Sequence, residues 1–328
     1  MSVKWGVLGT AGIARGCTIP GMKEAENCEL YAIAGRDEAK VENYKEEFGF
    51  EKAYVGYDSL LADPDIQAVY IPLSNNLHKE WVLKAVRAGK HVLCEKPLAL
   101  TADDQREMFA AARENNVLLM EAFAYLHSPY VSMLRDEITS GSIGEVDYIE
   151  TSFLTQGYID DIRIHRETGG GAIYDLGCYC TTMILSLVDS KPDLVLPNAE
   201  FNDNGVDTFS SALIRFENGI RAAFTVGMVF SPKQLDRWDS VYIHGSRGRI
   251  VSNIEYNQCG KLHFTVLSDG KTIEKTFEAR QNYALEIEQF GRCIEDKEKP
   301  HVSEEFSIKN AELLDMILEK TDYYKAGI

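Results

Sequence analysis

The chain has 328 residues, of which 45% are hydrophobic and 26% charged, a composition typical of a soluble globular protein. That length favours two domains, each large enough to bury its own core. With 51 acidic and 34 basic side chains the formal net charge is −17, and such a field repels polyanions. Nucleic acid and anionic membrane surfaces are therefore excluded as expected partners.

No apolar stretch approaches the ~20 residues needed to cross a bilayer. Residues 1–6 enter a strand pattern at once, without the apolar core of a signal peptide. The seven cysteines are scattered and form no C-x-x-C pair, which indicates reduced thiols and neither a disulfide framework nor a zinc site. We expect a cytoplasmic protein without a metal.

The first third of the chain alternates between β-rich apolar runs and segments with helical spacing. Strands are predicted at residues 3–8, 30–34, 68–72, 91–94 and 117–120, with a weaker strand at 53–55. Helices are predicted at residues 12–22, 37–48, 58–62, 76–88 and 102–115. Strands that alternate with helices at this spacing predict a doubly wound parallel sheet with helices on both faces.

The pattern changes after about residue 122, where longer runs alternate between apolar and polar side chains. Strands are predicted at residues 145–154, 209–216, 221–229, 240–243 and 262–267, and helices at 131–140, 171–188, 283–295 and 308–326. These elements predict an α/β domain built on a large, open, mostly antiparallel sheet. The expected domains are residues 1–121 and 122–328, without a flexible linker between them.

A glycine-rich turn follows the first strand directly and opens the first helix. Such a turn presents backbone N–H groups to a pyrophosphate at a helix N-terminus. The match to G-x-G-x-x-G/A is imperfect because alanine holds the second glycine position, and a purely structural turn is the alternative. Its place inside a strand–helix–strand unit favours a dinucleotide site formed by Gly9, Thr10, Ala11, Gly12, Ile13 and Ala14.

The end of the second strand bears on which dinucleotide binds. An NAD site expects an acidic residue there for the ribose hydroxyl, but this chain has Gly35 followed by Arg36. A guanidinium can stack on adenine and pair with a 2′-phosphate, so NADP is favoured and NAD remains possible. The alternatives are that Arg36 is a solvated surface residue and that Asp37 serves the ribose.

The strand at residues 91–94 runs into Glu95, Lys96 and Pro97. The carboxyl ends of parallel strands line the ligand crevice, so Lys96 can hold a developing alkoxide there. The alternative is an ordinary surface lysine. A second strand end is expected to meet this turn and to add contacts to the cofactor through Pro72, Leu73, Asn75 and His78.

Three glycines at 169–171 cannot lie inside a helix and predict a close-approach loop that feeds one. In that helix Asp175 and Tyr179 share a face, where a carboxylate and a phenol near a lysine would form an acid/base site. The alternative is an Asp that stabilises a helix N-terminus and a half-buried Tyr. Arg163 and Tyr125 are candidate substrate contacts, or a loop ion pair and a hinge residue.

Together these motifs resemble the glucose–fructose oxidoreductase/inositol dehydrogenase (Gfo/Idh/MocA) family over nearly the whole chain. The resemblance rests on the run from Trp5 to Ala14, on Glu95-Lys96-Pro97, and on the triple glycine with Asp175 and Tyr179. It implies an N-terminal Rossmann domain, a C-terminal α/β domain often used for oligomerisation, and Lys96 as the catalytic lysine. Many members carry histidine at the Tyr179 position. The tyrosine is similar to the dihydrodiol dehydrogenase and NADP-dependent D-xylose dehydrogenase subgroup, where it is taken as the acid/base.

The expected function is an NADP(H)-dependent oxidoreductase acting on a sugar, polyol or cyclic diol, as a homo-oligomer. The segment Leu126-His127-Ser128-Pro129 departs from that subgroup, which leaves the substrate open. Two other functions are compatible with the same fold: an NAD-dependent glycoside hydrolase and a non-catalytic NADP-sensing regulator.

Overall fold

The computed structural model describes residues 2–155, 158, 161–228 and 237–325. Two predicted element ends, Val229 and Ala326, lie outside the described residues. The strands of the described part are β1 Val3–Leu8, β2 Cys28–Gly35, β3 Lys52–Val55, β4 Ala68–Ile71, β5 His91–Glu95, β6 Leu119–Ala122, β7 Val146–Leu154, β8 Pro192–Phe201, β9 Asp207–Phe216, β10 Arg221–Gly227, β11 Trp238–Gly245, β12 Gly248–Ser252, β13 Gly260–Ser268 and β14 Lys271–Ala279. The α-helices are α1 Ile19–Glu24, α2 Glu38–Phe48, α3 Tyr57–Leu61, α4 Asn75–Arg87, α5 Ala102–Glu114, α6 Pro129–Thr139, α7 Cys178–Leu187, α8 Asn282–Glu295 and α9 Glu304–Lys320.

The first six strands form the predicted parallel sheet, and their order in it is β3-β2-β1-β4-β5-β6. Strands β1 and β4 are neighbours although two other strands separate them in the chain, so the direction of winding reverses between them. A ligand crevice in such a sheet lies outside the carboxyl ends of the strands at this switch point. The turns after β1, β4 and β5 therefore carry the candidate cofactor residues.

The chain divides into two compact units that differ from the expected domains. The first unit comprises residues 1–127 and 280–308, and the second comprises 128–279 and 309–328. Helix α8 joins the first unit because Phe290 packs on Trp5 with ring centres 5.0 Å apart. Gly21 permits close approach there, since a Cβ on it would lie 2.7 Å from Tyr283 Cβ. The periodicity of a helix does not show with which unit it packs. The boundary predicted from the sequence therefore did not include residues 280–308 in the first unit.

The second unit contains an eight-stranded sheet in the order β14-β13-β12-β11-β7-β10-β9-β8. Every neighbouring pair is antiparallel except β7 with β10, which confirms a large, mostly antiparallel sheet. Strands β8, β12 and β14 were not predicted. Strands β8 and β14 are the sheet edges and carry the prolines and alternating charges with which edge strands avoid further pairing, features that also weaken a strand signal.

Several large apolar side chains on this second sheet are exposed. Leu196 on β8 and Leu213 on β9 are register partners, and both are more than half exposed, as is Trp238 at the start of β11. Over the ranges described, none of the helices combines the length and the apolar character that crossing a membrane requires.

The return of α8 to the first unit predicts that Phe290→Ala destabilises that unit by about 3–5 kcal/mol, because a fully buried ring is lost from the contact with Trp5. Val55→Ala, at an exposed position on edge strand β3, is the matched control and should change stability by less than about 0.5 kcal/mol. Urea unfolding followed by tryptophan fluorescence measures both. Equal effects of the two substitutions would contradict the packing described.

Candidate functional site

The turn after β1 has the open backbone that the glycine pattern predicts. Gly9 has a φ of 137°, and a Cβ on it would lie 3.1 Å from Leu73 Cδ2 and 3.8 Å from Pro72 Cγ. Gly12 is exposed, and a Cβ on it would meet no atom within 4 Å. The structure thus brings the turn after β1 against the turn after β4, and leaves the N–H groups at the helix start accessible to an anion.

The helix that follows this turn starts with a π-helical segment, Ala14–Thr18, before α1. Such segments are frequent at functional sites. The turn itself is fixed by Tyr44 on α2, whose hydroxyl donates to Thr10 O at 3.1 Å and to Ala11 O at 3.3 Å. Sequence reasoning missed Tyr44, because a tyrosine within an otherwise charged helix gives no signal of its partner more than thirty residues earlier.

The end of β2 has no room for an acidic side chain. A Cβ on Gly35 would lie 2.6 Å from Val41 Cγ2, so the Val41 side chain would have to shift to admit any side chain here. The Asp37 carboxylate caps α2 by accepting the Lys40 N–H at 3.1 Å. Arg36 is exposed and hydrogen-bonds to the Tyr57 phenol; burial raises the pKa of Tyr57, and the guanidinium opposes that rise. The site therefore offers a cation where an NAD site has a carboxylate.

A chain of hydrogen bonds runs beneath the Glu95-Lys96-Pro97 turn. The Thr18 hydroxyl donates to Tyr70 Oη at 2.8 Å, and the Tyr70 hydroxyl donates to Glu95 Oε1 at 2.5 Å. Thr18 and Tyr70 are fully buried. The contacts connect the helix after the glycine turn, the middle of β4 and the end of β5. Neither Thr18 nor Tyr70 was expected from the sequence.

His78 links the turns after β4 and β5. Its ring is fully buried, with Nδ1 2.9 Å from Pro97 O and Nε2 2.9 Å from Leu73 O. Burial lowers the pKa of His78, and the two carbonyl contacts oppose that change. The imidazole therefore holds the two turns together, and an effect on cofactor binding would act through them. Asn75, the neighbouring candidate, is the first residue of α4 and partly exposed.

A buried carboxyl group lies within the electrostatic reach of Lys96. Glu121, at the end of β6, is fully buried, and its Oε1 accepts the Leu98 N–H at 2.8 Å. Burial raises the pKa of Glu121 to about 7, although the positive charge of Lys96 opposes this rise. The other candidate near this strand, Tyr125, is buried in a short 3₁₀ turn and meets Phe123 edge-on at 6.4 Å.

In the second unit the triple glycine forms the close-approach loop that was predicted. A Cβ on Gly170 would overlap the Arg163 carbonyl, and Gly171, with a φ of 128°, packs against Asp207. Asp207 is buried and accepts the Ile173 N–H at 2.8 Å, which fixes the start of the following helix. Burial raises the pKa of Asp207 to about 6. No pattern in the sequence indicates this partner, which lies on β9, more than thirty residues further along the chain.

The helix that starts there is π-helical over Ile173–Gly177 before α7, so both candidate helices begin with the same irregularity. Asp175 lies in this segment, and its Oδ1 is 3.1 Å from Arg163 Nε. Arg163 also pairs with Asp161 through Nη1 at 3.0 Å. The Asp175 carboxylate raises the pKa of Arg163. Two carboxylates therefore hold the guanidinium.

Tyr179 lies one turn further along, partly exposed, in an aromatic cluster. Its ring meets Phe153 edge-on with centres 5.4 Å apart, and its centre lies 5.2 Å from that of Tyr256. These rings restrict the orientation of the phenol. Within the described ranges, no group of three or more His, Cys, Asp or Glu side chains is arranged to bind a metal ion.

Comparison with known protein families identifies the family to which the chain belongs. Residues 3–123 match the model described as the oxidoreductase family with an NAD-binding Rossmann fold, and residues 131–251 match the GFO/IDH/MocA C-terminal domain. The chain belongs to the Gfo/Idh/MocA oxidoreductase family. The resemblance inferred from the motifs is thereby confirmed, as is the α/β fold.

Relatives of this Gfo/Idh/MocA protein include dehydrogenases and a ketoreductase. It is 34% identical over 323 residues to D-xylose 1-dehydrogenase (NADP(+)) 2 of Haloferax volcanii, with 97% of each chain covered. It is 34% identical over 218 residues to a trans-1,2-dihydrobenzene-1,2-diol dehydrogenase of Xenopus laevis, with 66% of each chain covered. The crystal structure of KijD10, a 3-ketoreductase from Actinomadura kijaniata in complex with NADP and TDP-benzene, has a TM-score of 0.90 at 30% identity and 98% coverage of each chain.

The raised pKa of Glu121 predicts a pH-dependent stability difference between the protein and its Glu121→Gln variant. The native carboxyl titrates at about 7 and the unfolded one at ~4.3, so its contribution to stability is complete below the unfolded value and is lost as the pH rises to 7. Glutamine keeps an acceptor for the Leu98 N–H and does not titrate. The stability of the variant should therefore increase relative to the parent between about pH 4.5 and 7.

Urea unfolding across this pH range measures the difference, with Glu51→Gln at an exposed position as the control. A difference between parent and Glu121→Gln that stays constant with pH would contradict the burial assigned to this carboxyl.

Proposed function

We propose that this protein is an NADP(H)-dependent oxidoreductase that transfers a hydride between the nicotinamide and a sugar, a polyol or a cyclic diol. The observation that carries the proposal is the placement of Lys96 at the carboxyl end of β5, in the same unit as the open turn after β1. A cofactor turn and a lysine at the same edge of one parallel sheet are the arrangement that hydride transfer to or from a carbonyl carbon requires.

The residues of the first unit fit a dinucleotide. Gly12 is exposed and Gly9 adopts a positive φ, and both leave the backbone of the turn accessible to a pyrophosphate. Gly35 leaves no acidic side chain at the ribose position, and Arg36 can pair with a 2′-phosphate. The further cofactor contacts that we propose are Thr10, Ala11, Ile13, Ala14, Pro72, Leu73, Asn75, Glu95, Lys96 and Pro97, with His78 acting through its two turns.

When bound, the nicotinamide supplies the chemistry of hydride exchange. Lys96 would donate a hydrogen bond to the oxygen on the reacting carbon and so stabilise the negative charge that develops there. Tyr179 would take the hydroxyl proton during oxidation and return it during reduction. Asp175, held by Arg163, would orient the start of the helix that carries Tyr179. Tyr125 and Arg163 stay predicted substrate contacts.

The relatives support this substrate class. The names of two of them specify D-xylose with NADP and a cyclic benzene diol. Solved structures of the 3-ketoreductase KijD10 include variants in which a lysine is replaced by alanine or glutamate and a tyrosine by phenylalanine. Those residue types are the ones to which we assign the chemistry here.

Two alternatives make different predictions. An NAD-dependent glycoside hydrolase would release sugar without net change in nicotinamide absorbance, and Arg36 at the ribose position argues against the NAD that it needs. A non-catalytic NADP sensor would bind the cofactor without turnover, and the presence of Lys96, Asp175 and Tyr179 argues against it. The homo-oligomer and the cytoplasmic location stay predictions; the exposed Leu196 and Leu213 are compatible with association through the second sheet.

Arg36→Ala should raise the KM for NADPH by about tenfold or more, because a charge-assisted bond to the 2′-phosphate is lost, and should leave the KM for NADH unchanged. Lys40→Ala is the matched control, since it removes a positive charge from the exposed face of the adjacent helix. Steady-state kinetics with both cofactors measure the effect. An unchanged preference for NADPH in Arg36→Ala would contradict the cofactor assignment.

Lys96→Ala and Tyr179→Phe should each lower kcat by about a hundredfold or more, because each removes a group that acts on the substrate oxygen or its proton. NADPH affinity, measured by fluorescence titration, should stay close to that of the parent in Tyr179→Phe. Tyr242→Phe, a tyrosine on β11 of the same unit, is the control and should keep full activity. Full turnover in Lys96→Ala or in Tyr179→Phe would overturn the proposed chemistry.

A further inference from the structure

A guanidinium lies against the aromatic cluster of Tyr179. Arg237 Cζ is 4.3 Å from the centre of the Phe153 ring, in the position of a cation–π contact, and that ring meets Tyr179 edge-on. Arg237 Nη2 also donates to the backbone carbonyl of Tyr256 at 2.9 Å, and the Tyr256 ring packs on Tyr179. Arg237 thus contacts both residues whose rings pack on Tyr179, and the charge of Tyr179 contributes to raising the pKa of Arg237.

The guanidinium is fixed in place by carboxylates. Its Nη2 lies 2.5 Å from Oδ2 of Asp239, which is buried and also accepts the Tyr256 N–H at 2.7 Å. Glu255 Oε2 lies 3.8 Å from Arg237 Nε and is half exposed. Burial lowers the pKa of Arg237, but the hydrogen bond and charge of Asp239 outweigh it and raise the pKa. Arg237 therefore stays charged at every pH at which the protein is folded.

Two titratable side chains on the helix that carries Tyr179 are an ion-paired carboxylate and a neutral thiol. Asp175, on the preceding turn, forms an ion pair with Arg163. Cys180 is buried, and burial raises its pKa to about 12, so it stays a neutral thiol. The faces of β7 and β10 that pack on α7 contribute buried apolar side chains such as Phe224. Arg237 interacts electrostatically with Tyr179, and Glu255 neighbours Arg237, so replacing either one changes the charge near the phenol.

We propose that Arg237 is a positioning residue for the reaction, which holds the Tyr179 ring through Phe153 and Tyr256 and stabilises its ionised phenolate. The proposal rests on the proposed function, in which Tyr179 exchanges the substrate proton. During oxidation the substrate carbon loses a hydride to the oxidised nicotinamide while its hydroxyl proton passes to the Tyr179 phenolate. Reduction reverses both transfers. A free phenol has a pKa of ~10, so a nearby cation is needed for a phenolate to be populated near neutrality.

The test is a titration of Tyr179 that needs no substrate. The full-length protein is labelled with an NMR-active isotope at tyrosine Cζ, and the Tyr179 signal is assigned by its loss in Tyr179→Phe. Arg237→Gln removes the cation and should raise the midpoint of the titration by about half a unit to one unit. Arg237→Lys keeps the charge and should restore most of the parent midpoint.

Glu255→Gln should shift the Tyr179 midpoint in the opposite direction to Arg237→Gln. Glu255 is half exposed, so this substitution is not expected to unfold the protein. It removes a negative charge near Arg237 and should lower the midpoint by a few tenths of a unit. If Arg237→Gln does not fold, because Asp239 loses its buried partner, the Glu255→Gln titration decides. The inference would be overturned if Glu255→Gln left the Tyr179 midpoint at the value of the parent protein. It would also be overturned if Arg237→Gln and Glu255→Gln shifted the midpoint in the same direction.

Activity measurements distinguish a failure of the role of Arg237 from a failure of the proposed function. The limb of the pH–kcat profile that Tyr179 controls should move with the NMR midpoint in each variant, which a merely structural role of Arg237 would not produce. If Tyr179→Phe is inactive but the Tyr179 midpoint does not shift in the Arg237 and Glu255 variants, only the role of Arg237 is contradicted. An active Tyr179→Phe contradicts the proposed function itself.

Discussion

The chain of hydrogen bonds from Thr18 through Tyr70 to Glu95 is the constraint on which the first unit depends. It joins three segments that are distant in sequence and meet at the carboxyl edge of the parallel sheet. Because Tyr70 and Thr18 are fully buried, loss of either contact would leave a polar group without a partner in the interior. The position of the Lys96 turn relative to the glycine turn is therefore set by interior packing, and His78 secures the same turn from the other side.

In the second unit, buried hydrogen bonds likewise fix a glycine loop and the helix that follows it. A carboxylate, Asp207, accepts the N–H of Ile173 at the start of a helix, and the Tyr323 hydroxyl donates to Gly170 O at 2.6 Å. The triple glycine permits these close approaches because any side chain there would overlap the backbone of Arg163 or the Asp207 carboxylate. In both units a glycine loop leads into a π-helical first turn, and the candidate functional groups lie on or beside that turn. The irregular helix starts thus lie at the candidate functional residues in both units.

The sequence predicted those features that depend on local periodicity and on backbone freedom. The parallel sheet followed from strands alternating with helices, and the glycine turns followed from residues that alone tolerate close approach. Features that depend on distant partners were missed: Tyr44 on the glycine turn, Tyr70 beneath Glu95, and Arg237 on the Phe153 ring. Helix α8 was assigned to the wrong unit for the same reason, since Phe290 and Trp5 lie at opposite ends of the chain.

The central claim is that this family member turns over an uncharged hydroxy compound with NADP. The most direct measurement is a screen of aldoses, polyols and cyclic diols, followed by nicotinamide absorbance, with NADP and NAD in parallel. We expect a net absorbance change with at least one such compound and a preference for NADP. Tight NADPH binding without turnover of any of them, or release of sugar from a glycoside without net absorbance change, would contradict it.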